Sequence, residues 1–142
     1  MFVVIGAGVV GAAVAYDLAR RGEAVTVLEA ERPAAGTSGS SFAWTNANQK
    51  PPRPYHDLNA AGLAEHHRLA EVLPTVRPGR WFHPHGNLAI ASGPADAAAL
   101  WARVERLRAW GYAAELIDDG LASTLAPDLK IPADATIAYF LE

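Results

Sequence analysis

Phe2-Val3-Val4-Ile5-Gly6-Ala7-Gly8-Val9-Val10-Gly11 is the stretch whose reading decides the fold. Phe2 to Ile5 form a short, largely β-branched run that ends at a glycine, the pattern of a buried strand. Val10 to Arg21 then reads as a helix. Val10, Val14 and Leu18 fall on one face, Arg20 and Arg21 suit the negative C-terminal end, and Gly22 stands at the stop position. Ala24 to Glu29 is a second apolar strand. The first 29 residues thus predict a β-α-β unit with parallel strands and a right-handed crossover.

The glycines of this unit have a chemical reading. Gly6, Gly8 and Gly11 match G-x-G-x-x-G between a strand and a helix. Gly6 permits the tight turn, Gly8 lets a pyrophosphate approach the backbone, and Gly11 lets the helix lie near the sheet. Amides around Val9, Val10 and Gly11 aim their partial positive charge at the phosphates. Eighteen residues after Gly11 stands Glu29, whose carboxylate can accept hydrogen bonds from ribose hydroxyls. It also repels a 2′-phosphate; Glu31 reinforces that and Arg32 weakens it slightly. The unit predicts Rossmann-like dinucleotide binding, with FAD and NAD not separated by these residues alone.

Composition bounds the rest. The chain has 142 residues, 51% of them hydrophobic, with 12 Lys+Arg against 15 Asp+Glu. That content excludes a disordered chain, and the net charge of -3 argues against a nucleic-acid scaffold. Without cysteine there is no disulfide framework, thiolate zinc site, iron–sulfur cluster, cysteine nucleophile or cysteinyl flavin linkage. Phe2 to Tyr16 carry no charge, but nothing basic precedes them and three glycines interrupt them, unlike a signal peptide. No later segment reaches the about 20 apolar residues of a membrane span. The reading is a soluble, cytoplasmic protein.

Residues 30–54 form a long loop rich in glycine, serine, threonine, asparagine and proline, a length associated with function. No carboxylate occurs from Pro33 to His56, which suits an anionic neighbour. Beyond it the sequence predicts a helix over 57–73 capped by Asp57, a proline-broken stretch over 74–84 and a strand over 87–91. A helix over 94–110 carries the stripe Leu100, Val104, Leu107 and Trp110, and Gly111 ends it. A strand over 113–117, a helical turn over 120–125 and a strand over 136–141 complete the chain. That last apolar strand is read as leaving an edge that needs a partner: another molecule or fold element pairs it, or the chain is a fragment of a longer protein. His66 and His67, adjacent on a helix, diverge, and Pro84 between His83 and His85 disfavours a shared strand face, so no metal site is read. Trp101 and Trp110 are read as packing residues, and Trp44 as the tryptophan nearest a cofactor.

After Glu29 the chain runs Ala30-Glu31-Arg32-Pro33-Ala34-Ala35-Gly36-Thr37-Ser38. This resembles the D-amino acid oxidase-like family of FAD-dependent oxidoreductases, which includes sarcosine and glycine oxidases. There an E-x-x-x-x-x-x-G-[TAS]-S pattern follows the second strand, and its turn passes close to the flavin; Gly36, Thr37 and Ser38 occupy those positions. The resemblance continues through Gly86 to Ala91, similar to a G-x-L strand, and through Leu121 to Leu129, with Leu125-Ala126-Pro127, similar to an l-x-P-x-l segment. It implies an α/β fold: an FAD-binding unit with a flavin-facing loop over 1–54 and the beginning of a mixed α+β substrate domain over 55–142. It implies oxidation of a small amine or amino acid by hydride transfer to flavin. The cofactor-binding set is then Gly6, Gly8, Val10, Gly11, Glu29, Arg32, Gly36, Thr37 and Ser38, with no catalytic residue assigned. Ser40, Ser41, Asn46, Asn48 and Gln49 either reach toward the flavin or satisfy backbone groups of their own loop. An NAD-dependent dehydrogenase module and a non-catalytic fragment or subunit completed by a partner chain are the alternatives.

Overall fold

The computed structural model describes residues 1–73 and 81–142, so most of the proline-broken stretch lies outside the described residues. The architecture is α/β and divides into two units, Met1–Trp44 and Thr45–Glu142.

The first unit begins with β1 (Phe2–Ile5), α1 (Val9–Arg20) and β2 (Val25–Leu28). β1 and β2 pair in parallel, Phe2 opposite Val25 and Ile5 opposite Leu28. Gly6 takes φ +93°, a left-handed value that a side chain disfavours, and so turns the chain sharply out of β1. At Gly11 a Cβ would overlap the Gly6 carbonyl and touch Val4, so only glycine lets α1 start this close to the strand end. α1 ends at Gly22, φ +85°. There Gly22 N–H donates to the Ala19 carbonyl and Glu23 N–H to that of Leu18, satisfying carbonyls the helix end leaves open. A short helix α2 (Thr37–Ser40) sits within the long loop.

The apolar run read as a buried strand is largely exposed, Ile5 by 85%, and the α1 stripe is open too, Val10 by 74%. One helix on a two-stranded sheet covers little of either face. Periodicity reports which side chains want burial, not whether this unit alone provides it.

The second unit holds α3 (Arg53–Val72), β3 (Asn87–Ala91), α4 (Pro94–Ala109), β4 (Ala114–Ile117), α5 (Asp119–Leu125) and β5 (Thr136–Phe140). α3 begins four residues before the expected Asp57 cap. Pro54 lies in its first turn, where a missing N–H costs nothing, and Asp57 instead faces Arg53 at 3.5 Å inside the helix. The sheet order is β3-β5-β4, antiparallel throughout. β5, read from sequence as leaving an edge in need of a partner, is the central strand, paired on both sides by fold elements of this chain. Its strongly apolar character reflects pairing on both sides; β3 and β4 are the edges. α4 lies on this sheet and packs Leu100, Val104 and Leu107 against Ala91, Ala114, Ala138 and Phe140. Trp110 joins that core, whereas Trp101 is 53% exposed and does not pack as expected. Among the described residues no helix is long and apolar enough to cross a membrane.

Candidate functional site

The glycine turn, the end of β2 and the following loop meet around the N-terminus of α1. The first intrahelical bond there runs from Ala12 N–H to the Gly8 carbonyl, so the amides of Val9, Val10 and Gly11 have no partner within the helix. Val9 N–H donates to Ser38 Oγ at 2.9 Å. Ser38, placed by the α2 turn, thus acts as a cap delivered from 29 residues downstream. A Cβ on Gly8 would lie 3.1 Å from the same hydroxyl. The cradle between Gly8 and Ser38 is therefore already narrow, and a side chain at position 8 would fill it.

Glu29 closes the turn from the other side. Its Oε2 accepts the Ala7 N–H at 2.7 Å and its Oε1 accepts the Glu31 N–H at 3.1 Å. These two bonds, Ala7 first, hold the carboxyl below the usual glutamate range. Glu29 remains exposed, and each carboxylate oxygen keeps acceptor capacity beyond one bond, so two vicinal hydroxyls can still be received. A further tie runs from Ala34 N–H to the Ala7 carbonyl at 3.0 Å. Ala34 holds φ +61°, an uncommon value for alanine.

Of the residues singled out from sequence, Gly6, Gly8, Val10, Gly11, Glu29 and Ser38 are thus brought to one place. Gly36 precedes α2 and Thr37 opens it, both exposed, and Arg32 is exposed beside the loop. Two other hydroxyls serve the loop itself: Ser40 Oγ donates to the Gly36 carbonyl and Ser41 Oγ accepts the Ala43 N–H. Ala7 and Ala34, which sequence reading passed over, supply the backbone groups that tie β2 and the loop to the turn. Alanine carries no signal for such a role.

In the second unit, Asn48 is 1% exposed, and its amide donates to Asn87 Oδ1 at 3.0 Å and Glu142 Oε1 at 2.7 Å. Tyr112 donates to the same Glu142 oxygen at 2.9 Å. Burial first, and the Glu142 charge second, push the Tyr112 phenol well above its usual range. His56 is buried, its Nδ1 2.8 Å from the Ala47 carbonyl, between the rings of Trp110 and Tyr112. These groups are an internal polar lock. The rings of His66 and His67 lie against Phe82, while His83 and His85 stack on each other.

A family model described as FAD dependent oxidoreductase (DAO) matches residues 1–141. The tRNA 5-methylaminomethyl-2-thiouridine biosynthesis bifunctional protein MnmC of Psychrobacter cryohalolentis is 44% identical over 68 residues, 47% of this chain and 10% of that protein. The protein of the same name from Chromohalobacter salexigens is 63% identical over 38 residues, 27% of this chain and 5% of that protein. Among solved structures, glycine oxidase from Geobacillus kaustophilus superposes with a TM-score of 0.82 at 24% identity, covering 99% of this chain and 38% of that one. Iminodiacetate oxidase from Chelativorans sp. BNC1 gives 0.78 at 22% identity, covering 99% and 39%. At such identities the likeness is one of fold. The chain spans well under half the length of each of these proteins.

Proposed function

The chain belongs to the FAD dependent oxidoreductase family, and from that premise we propose that it holds FAD and takes part in oxidising a small amine or amino acid. One observation carries the reading: Ser38 and Glu29 both bond to backbone amides of the glycine turn, at Val9 and Ala7. A pyrophosphate fits the amides of Val10 and Gly11 beside Gly8, with the Ser38 hydroxyl free to donate its own proton outward. Glu29 receives the adenosine ribose hydroxyls, and its charge, with that of Glu31, disfavours a 2′-phosphate. Gly36 and Thr37 border the path toward the flavin ring, and Arg32 flanks the ribose end.

When bound, FAD supplies an acceptor for a hydride from the carbon next to nitrogen, and water hydrolyses the resulting imine. The names of glycine oxidase and iminodiacetate oxidase support the substrate class. Residues 1–54 serve the cofactor and 55–142 contribute part of the substrate domain. Because the chain spans 38% of glycine oxidase, we include in the proposal that further polypeptide completes the pocket. The exposed apolar faces of β1 and α1 support this.

Titrating the chain with FAD and with NAD, followed by flavin absorption and fluorescence and by ADP competition, tests the reading. Expected is FAD binding that ADP displaces and that Gly8→Leu abolishes. Binding of NAD alone, or undiminished FAD binding by Gly8→Leu, overturns it.

A further inference from the structure

A second site lies in the other unit, away from any group used above. A concavity of about 310 Å³ opens between α4 and the edge strand β3, lined by Ala89, Ala91, Leu100, Asp96, Arg103 and Arg106 among others. The two arginines stand one turn apart on α4 and reach the same hollow. Neither makes a salt bridge among the described residues, unlike Arg20, Arg21, Arg53, Arg68 and Arg108. Arg103 lays its guanidinium 4.8 Å from the centre of the buried Phe140 ring, and Arg106 lies 5.7 Å from that of Trp110. Stacking occupies the flat face of a guanidinium and leaves its in-plane N–H groups for an acceptor. For Arg103 that need is acute, since its Nε is buried with no hydrogen-bond partner among the described residues. A buried N–H left unpaired is unfavourable, and since this one is closed to solvent an arriving acceptor pairs with the outer N–H groups of the same guanidinium.

We propose that this hollow binds a small monocarboxylate with a short apolar body, its carboxylate held by Arg103 and Arg106. A planar fork of donors suits a carboxylate, and the alanine and leucine walls suit hydrocarbon. Asp96 in the same lining opposes a doubly charged anion such as phosphate more than a singly charged one. Burial first, and the charge of Arg106 second, draw the Arg103 guanidinium below its usual value, and an arriving anion offsets the second of these.

The test is a titration of the 142-residue chain with acetate, propionate and butyrate at fixed ionic strength, following the Arg103 Nε–H resonance by nitrogen-edited NMR. Inorganic phosphate is the control. A saturable shift that tightens about fourfold per added methylene is expected, with phosphate at least tenfold weaker. Arg106→Gln, at an exposed position, should weaken butyrate at least fivefold with other resonances in place. Arg103→Lys keeps charge and stem but removes the fork, and, followed instead at the backbone amides of Ala89 and Ala91 in the lining, should weaken it likewise. A non-saturating shift, equal response to phosphate, no dependence on chain length, or unchanged binding by Arg106→Gln would each overturn the proposal. None of these outcomes bears on the nucleotide site.

Discussion

The two units of this chain are organised by different means. In Met1–Trp44 no described residue is buried, yet the backbone of the glycine turn is bonded by Glu29, Ser38 and Ala34. In Thr45–Glu142 a continuous core of α4 against three strands reaches full burial at Val104, Leu107 and Phe140. One unit is specific without being well packed; the other is well packed with fewer chemical signatures. Ligand recognition as proposed here rests on where amides point, and stability rests on where side chains are hidden. The two properties need not reside in the same residues.

The largest effect should come from the packed side. Phe140→Ala removes a fully buried ring and should cost about 3–5 kcal/mol of the second unit's stability by denaturant unfolding followed at Trp110. Hydrogen exchange at Ala7 and Val9 should stay unchanged; accelerated exchange there would break the contrast. Next comes Gly11→Val, whose Cβ has no room against the Gly6 carbonyl. It should destabilise the first unit by about 1–3 kcal/mol and release the Ala7 and Val9 amides, leaving the Trp110 transition in place.

The smallest effect is a pH dependence. Folding lowers the pKa of Glu29, so its contribution is complete above the ordinary glutamate range and is lost as pH falls through the lowered value. Protection of Ala7 should be flat from neutral pH down to that range and decline only below it. Glu29→Gln should remove the acid limb. A decline already under way at neutral pH would contradict the geometry.

The site was more legible than its surroundings, for physical reasons. Gly6, Gly8 and Gly11 encode backbone shapes directly, since each marks a place where a Cβ is strained or in the way. The spacing of Glu29 and Ser38 follows from a strand and a turn of nearly fixed length. Their folding back onto Ala7 and Val9 was not legible, because a side chain's choice of amide leaves no periodic trace. In the second unit the α4 stripe was clear, whereas the place of β5 was not. Strand order in an antiparallel sheet depends on pairing across long sequence separations, and an apolar strand looks alike at an edge and at a centre. The start of α3 was misplaced because proline reads as a breaker, although at the first turn it is compatible with a helix.

The double engagement of Glu29 bears on how such a chain can evolve. Its carboxylate is both a candidate ribose acceptor and the clasp for the Ala7 and Glu31 amides. Trading it for a small or basic residue, the simplest route to a phosphorylated ribose, would leave those amides without their acceptor. A change of coenzyme preference at this position would therefore need a second substitution to repair the turn.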